Sequence, residues 1–534
     1  MKHQYCCSFA GCRTSCCAVL PCRHNKGGTH VDRAYLLGLD VGTTGCKTVV
    51  FDQEGRELGR GYREYPVFCK EPFQAEQNPD AVFSLLIESM QEAVKNAEIQ
   101  NAAAVSLSVQ GDAVIPVDKS YEVLHPAVLG MDYRPEKQCE KYREEFDERQ
   151  LYEVTGQPLH PINMMAKIMW FLDERPEISE KAWRFITYEE FIFQRLGGEP
   201  VLDLTMASRS MGYSLEEGKW SGQILENMGI SESLLSPLVK SGDVIGKLSS
   251  QLADRIGLNN RPLLVAGCHD QPAGALGAGV IDTRMALDST GTAEVLSVTF
   301  PEPILSQSMR DSFYSCYVHA VPGQYFSFAH MQTGGILQQW YRDQFGYREL
   351  EEAGHLNMDF YTYAQSKCPD GPSSILVLPH FNGSGTPLCD MESKGAIVGL
   401  TLSSTRHDIL KGILDSLCFE LKFNIETMEK SGILIQGLRA TGGGARSPLW
   451  LQTKADVTGL TVETLECKEA GCLGSAVLAA VGAGIYDTIE QAVKQMVRPG
   501  ISYRPREEQS GRYQEQYQLY KSLYGCLKPV FHKM

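Results

Sequence analysis

The chain has 534 residues and a formal charge of −15, with 43% hydrophobic and 22% charged residues. That length exceeds one ordinary core and suits two large domains, and the composition excludes disorder and collagen-like structure. With Lys+Arg at 50 against Asp+Glu at 65 and no local basic patch, it is a poor partner for nucleic acid or an anionic membrane.

Six of the 17 cysteines fall in the first 22 residues: Cys6, Cys7, Cys12, Cys16, Cys17 and Cys22. Cys12, Cys16 and His24 invite a zinc reading, but their spacing fits no standard finger. The apolar stretch Ala18 to Leu20 is too short for a secretory signal. The remaining cysteines are scattered singly from Cys46 to Cys526, which points to a reducing cytoplasm. Lys26-Gly27-Gly28 can be encoded by AAA-GGA-GGT, a ribosome-binding-site-like run, and Val31 by GTG. We therefore expect 1–33 to be a cysteine-rich extension that is unstructured or not native, with the true start near Val31. Farther on, no uncharged apolar run reaches the ~20 residues of a bilayer span.

Residues 35–52, YLLGLDVGTTGCKTVVFD, predict strand, glycine turn, strand. A third strand is expected from Glu57 to Tyr65. Asn78-Pro79 then opens a helix, Asn as cap and Pro at its first position, with Val82, Phe83, Leu86, Met90, Ala93 and Val94 as apolar face. Buried strands follow at Ala103 to Val109 and Val114 to Val117, and Met164 to Leu172 predicts an apolar helix. Pro262 to Ala266 predicts a strand that runs into Gly267-Cys268-His269-Asp270-Gln271-Pro272 and a small-residue helix. Strand–turn–strand logic restarts at Met285 to Thr299, around Ser289-Thr290-Gly291-Thr292. Two similar starts imply a duplicated architecture. Ala440 to Gly444 is a strand end in a glycine turn, followed by a helix from Pro448. A polar, aromatic helix from Glu508 to Leu527 closes the chain.

Three glycine turns each end a predicted strand and expose backbone donors that suit an anion. None fits GxxxxGK[ST] or a strand-linked GxGxxG, so P-loop and dinucleotide-binding readings lose ground. Phosphoryl transfer to an alcohol needs a base for the hydroxyl and a metal for the phosphate charge. Asp270, at a strand end before a helix, reads either as a cap or as that base; Asp40 reads either as a turn former or as a site carboxylate.

LGLDVGTTGCKTVVFD, AGCHDQPAGALGAGV, DSTGTAE and TGGGARSPLWLQTKADVTGL…KEAGCLGSAVLAAVGAG occur in the order and spacing of the FGGY carbohydrate kinases. GQPLHP, QAEQNP and FNGSGTP also resemble family segments, and the resemblance spans roughly residues 35 to 505. It implies an α/β fold of two actin-like (ribonuclease H-like) domains with ATP and sugar in the cleft between them. The expected division is 34–280 for sugar and first phosphate loop, 281–505 for nucleotide, and 506–534 for the terminal helix. Carried over by residue, Asp270 is the catalytic base and Asp40 the aspartate near Mg²⁺ and the phosphates, both as metal ligands. Gly42, Thr43, Thr44 and Lys47 form the first phosphate loop, and Thr290, Gly291 and Thr292 the second. Gly335, Gln339, Gly443, Gly444 and Ser447 line the nucleotide site.

For the sugar, the resemblance points to Gln110, Gly111, Asp112, Asp132, Arg134, Asp270 and Gln271. Xylulokinase-like members usually carry Met-His where this chain has Gly111-Asp112, and Trp where it has Gly130. Either the pocket is wider here or other side chains refill it. Asp112 is expected to accept from sugar hydroxyls and to disfavour an anion such as gluconate. His269 either tunes the base or is packed; Cys268 and His330 read as structural. The resulting expectation is an ATP- and Mg²⁺-dependent kinase of a neutral sugar, a ketose such as a pentulose. The alternatives are a polyol, L-ketulose or deoxyketose kinase, and a non-catalytic actin-like nucleotide-binding protein. The expected partners are a small-molecule sugar and a second copy of the chain as a homodimer.

Overall fold

The runs flanking the first glycine turn pair as their apolar, strand-forming composition predicts. Tyr35–Val41 lies antiparallel to Gly45–Asp52, which sets Asp40 opposite Lys47. The turn closes with the Gly42 N–H donating to the Gly45 carbonyl at 3.0 Å. This hairpin belongs to a computed structural model that describes residues 34–69, 71 and 73–534. The cysteine-rich segment 1–33, its zinc reading and the start expected near Val31 lie outside the described residues.

The hairpin extends into a seven-stranded sheet. From one edge, Glu57–Glu64, Gly45–Asp52 and Tyr35–Val41 run antiparallel to each other. Ala104–Val109 and Leu263–Val265 then add in parallel, and Val244–Lys247 closes the far edge antiparallel. Cys268–His269 joins the end of Ala104–Val109 as a short parallel strand. The second sheet repeats this scheme. Tyr325–Met331, Glu294–Phe300 and Ala286–Thr290 are antiparallel, Gly437–Gly442 and Thr461–Leu465 parallel, and Pro499–Tyr503 antiparallel at the edge. One order of pairings used twice is the duplication that the two strand–turn–strand starts implied.

The helix expected at Asn78-Pro79 spans Pro79–Asn96, and the Asn78 side chain accepts from the Ala81 N–H. Val82, Leu86, Met90, Ala93 and Val94 are buried, and Phe83 packs at the margin of the same core. The closing helix spans Glu507–Phe531 and buries Tyr513, Tyr517 and Tyr520.

The helix Ala470–Gly482 lies in the segment expected to form the nucleotide domain, yet it packs on the first sheet. Its Ser475 hydroxyl donates to the Leu39 carbonyl at 2.9 Å. A Cβ on Gly38 would sit 1.9 Å from the Cys472 carbonyl oxygen, and one on Gly474 would sit 1.9 Å from that of Ala273. Only glycine permits these backbones to touch. The stripe of small residues thus ties the first strand, the Asp270–Gly277 helix and the second half of the chain together.

Candidate active site

Asp270 opens the Asp270–Gly277 helix at the carboxyl end of the parallel strands, where ligands bind in open α/β sheets. The helix cap is its neighbour: His269 Nδ1 accepts from the Gln271 N–H at 3.3 Å. Capping is therefore not the reason for an aspartate at 270. The role of Nδ1 as acceptor puts the imidazole proton on Nε2, which faces Asp270 Oδ1 at 3.3 Å. Burial, then the Arg209 charge, holds His269 well below the ordinary histidine range, so it is neutral. The Asp270 side chain keeps 36% of its surface open to the cleft. Desolvation by its surroundings and then the charge of Asp40 push its carboxyl up to about 7, against the pull of Arg209.

Asp40, on the adjoining strand, accepts from the Ser108 hydroxyl at 2.7 Å. Burial raises its pKa, while Ser108 and Lys47 pull it down. Glycine at 471 leaves room for it: a Cβ there would stand 3.1 Å from the Asp40 carboxyl carbon. Lys47 does not extend freely towards a phosphate. Its Nζ pairs with Glu469 at 2.8 Å, and Arg60 meets the same carboxylate at 3.4 Å. Thr44 is exposed and its carbonyl is taken by the Tyr65 N–H at 3.1 Å, whereas the Gly42 carbonyl accepts from Tyr65 Oη at 2.7 Å.

A cavity of about 570 Å³ opens in front of Asp270, lined by Thr43, Gln110, Gly111, Asp112, Gly130 and Gln271 among the expected residues. The second sheet supplies Val295, Phe328 and His330 to its wall. His330, read as structural, therefore faces the pocket. Two further expectations need correction, and one open alternative is decided. Asp132 and Arg134 do not line the cavity. They pair with each other at 2.7 Å, Arg134 also meets Glu76 at 2.9 Å, and Asp132 accepts from the Ala75 N–H at 2.7 Å. This buried brace shapes the wall from behind. Gly111 leaves no extra room, because a Cβ there would stand 2.4 Å from His269 Nε2; the imidazole refills the space. At Gly130 an added Cβ would stand 3.3 Å from the Gly111 carbonyl oxygen and 3.7 Å from Asp112 and Ile162, all three residues of the pocket lining. Asp112 is also no lone anion, since Arg209 Nε donates to its Oδ2 at 2.9 Å. The charge expected to repel gluconate is thus compensated.

Sequence reasoning missed Arg209, Gln157, His160 and Asn163, all on the cavity wall. GQPLHP carried a signal for Gln157 and His160. Arg209 carried none, because a lone basic residue in a last helical turn reads as a surface charge.

A second cavity of about 810 Å³ is lined by Gly291, Thr292, Gly335, Gln339, Gly443, Gly444 and Ser447. Thr290 lies behind it. Its hydroxyl accepts from Lys454 Nζ at 2.8 Å, inside a buried group in which Lys454 also meets Asp288 at 2.5 Å and Glu294 at 2.8 Å. The hydroxyl expected at a phosphate is therefore spent on the strand's own support. Gly442 has φ +78°, and its added Cβ would fall 2.4 Å from the Thr290 carbonyl oxygen; glycine is required for the turn to close on the strand. Ser447 caps the helix Pro448–Thr458 through the Trp450 N–H and donates to Gln365 Oε1 at 2.5 Å. The bare backbone of Gly335, Gly443 and Gly444 suits a flat ring or phosphate pressed against it.

Among the described residues no group of three His, Cys, Asp or Glu side chains gathers to hold a metal. Asp40 and Asp270 are two carboxylates, which is what a hard cation takes from protein when phosphate oxygens and water complete its shell. No helix among the described residues is long and apolar enough to cross a membrane.

Residues 35–277 match the N-terminal domain of the FGGY family of carbohydrate kinases, and residues 286–483 match its C-terminal domain. The chain is 26% identical over 498 residues to a xylulose kinase of Bacillus subtilis (strain 168), covering 93% of this chain and 98% of that one. It is 28% identical over 488 residues to a gluconokinase of the same organism, covering 90% and 93%. Among solved structures, ligand-bound xylulose kinase from Lactobacillus acidophilus superposes with a TM-score of 0.85 at 23% identity, over 94% of this chain and 99% of the other. At that identity the likeness speaks for the fold alone.

Proposed function

Because the chain belongs to the FGGY family of carbohydrate kinases, we propose that it transfers the γ-phosphate of ATP to a hydroxyl of a neutral ketose, a pentulose of the xylulose type. The observation that carries this reading is Asp270. It is a cleft-facing carboxylate, relieved of helix capping by His269, and its pKa of about 7 suits a base at neutral pH.

Asp270 takes the proton as the sugar oxygen forms its bond to the γ-phosphorus and the bond to the bridging oxygen of ADP breaks. His269 stays neutral, fills the space at Gly111 and keeps the carboxylate turned to the sugar. Asp40 and Asp270 hold Mg²⁺, which neutralises phosphate charge when bound. Gly335, Gly443, Gly444 and Ser447 seat the adenosine side, and Gly291 and Thr292 the phosphates. In this division 34–280 carries the sugar and 281–505 the nucleotide. The triplet Gln110-Gly111-Asp112 resembles that of polyol and L-ketulose kinases, which keeps those acceptors as the second reading. The eleven free cysteines among the described residues support a reducing, cytoplasmic setting.

Incubation with ATP, Mg²⁺ and a panel of pentuloses, L-ketuloses, polyols and gluconate, with phosphate esters identified by ³¹P NMR, tests the reading. A pentulose phosphate as main product is expected. Esters of gluconate alone would contradict it, and esters of polyols alone would select the second reading.

A further inference from the structure

Arg209 is a charged wall of the sugar cavity to which the mechanism above gives no task. It ends the helix Leu204–Arg209, which Asp203 caps by accepting from the Met206 N–H. Its side chain is 9% exposed, and that exposed part faces the cavity. Nε is committed to Asp112 Oδ2 at 2.9 Å. The guanidinium lies over Phe328 at 4.9 Å and Tyr317 at 5.8 Å, two rings from the second sheet. Beside it, the Ser208 hydroxyl accepts from the Val318 N–H at 3.0 Å, so backbone and side chain are tied to the same pair of strands. The group is thus fixed on one edge and by two rings. Its two terminal nitrogens, and Asp112 Oδ1, make no hydrogen bond among the described residues.

A guanidinium only donates and an ionised carboxylate only accepts. Side by side, they match an oxygen that can only accept next to a hydroxyl that can donate. An open-chain ketose presents that pair as its carbonyl and the adjacent hydroxyl. A polyol presents two hydroxyls, and the one at the guanidinium has to place its own proton on a further acceptor, a demand the carbonyl does not make. We propose that Arg209 is a specificity-determining residue: its terminal nitrogens bind the ketose carbonyl oxygen while Asp112 accepts from the neighbouring hydroxyl. The inference rests on the ketose kinase reading and adds to it the group that tells ketose from polyol.

The test is steady-state kinetics of the full chain with a pentulose and with the alditol of the same carbon skeleton. Three variants are compared with wild type. Arg209→Met keeps length without donors, Arg209→Lys keeps charge, and Asp112→Asn with Arg209→Met removes both charges so that no unpaired carboxylate opposes folding. Loss of a charge-assisted hydrogen bond raises the pentulose KM about 10- to 100-fold in Arg209→Met and in the double variant, with kcat changed less than about threefold and the KM for ATP unmoved. The ketose-over-alditol ratio of kcat/KM falls by the same factor, and Arg209→Lys recovers part of it. If Arg209→Met does not fold, the double variant decides. A folded variant that keeps its pentulose KM and its ketose preference overturns the inference, as does a loss of kcat alone, which a merely structural role would give. A wild-type protein that phosphorylates no ketose overturns the proposed function itself, and that outcome is read before any variant is made.

Discussion

At the scale of single residues, the proposed function rests on one carboxylate, Asp270, whose environment opposes its charge. Asp270→Asn keeps the size of the side chain but cannot accept a proton, so kcat should fall by about 10²–10⁴-fold. A cap would predict little loss, since Asn caps a helix about as well as Asp, but the cap here is His269. The acid limb of kcat/KM should bend near pH 7, where Asp270 protonates, and fall about tenfold per unit below it. A profile flat down to pH 5 would contradict this assignment. The same shift predicts a stability effect of opposite sense. The folded pKa lies above the ordinary 3.8, so ionising Asp270 disfavours the folded state. Asp270→Asn should therefore raise the Tm at pH 8, with the gain shrinking as pH falls through 7 towards 4. Differential scanning fluorimetry across that range checks the sign. The place of Asp270 after a strand left cap and base both open, and the family resemblance singled it out as the base; the brace of Asp132 and Arg134 was not legible. The family resemblance carried Asp132 and Arg134 over as sugar contacts; only the distant Glu76 and the Ala75 N–H reveal them as buried support.

At the scale of elements, most strands and helices could be read directly. Tyr35–Val41, Gly45–Asp52 and Ala104–Val109 are β-branched or apolar runs bounded by turns, and Asn78-Pro79 announces its helix. The packing of Ala470–Gly482 on the first sheet was not legible, because its small residues mark a close approach without naming the partner. Thr290 misled for a related reason. The side chains of a strand alternate in direction, and at 290 that direction leads to Lys454 rather than the cleft. The close approach yields its own prediction. Gly38→Ala places a methyl 1.9 Å from the Cys472 carbonyl oxygen, so the backbones must separate. Overpacking of this kind costs about 1–3 kcal/mol, visible as a lower urea midpoint at unchanged m-value. An unaltered midpoint would mean that helix and strand are not in contact in solution.

At the scale of the whole molecule, two sheets of one pairing order face a shared task. The cavity proposed for the sugar draws Asp270 and Asp112 from one half of the chain and Phe328 and His330 from the other. The composition announced two domains and the repeated turn announced their likeness, but how they share a wall depends on contacts between residues far apart in sequence, such as Arg209 with Phe328. We expect a site divided in this way to close when both ligands are present, which would exclude water from the phosphoryl group. Small-angle scattering should show a smaller radius of gyration with a pentulose and a non-hydrolysable ATP analogue than with either alone; equal radii in all three states would argue against closure.

The central claim is that this cleft phosphorylates a sugar through Asp270. The direct measurement is ADP release by wild type and Asp270→Asn with ATP, Mg²⁺ and a pentulose, alongside nucleotide binding to both proteins. The account predicts sugar-dependent ADP release by wild type, and a variant that binds nucleotide equally well but turns over at least about 10²-fold more slowly. Near wild-type turnover in a folded, nucleotide-binding Asp270→Asn variant would contradict it, as would wild-type ADP release that ignores the sugar.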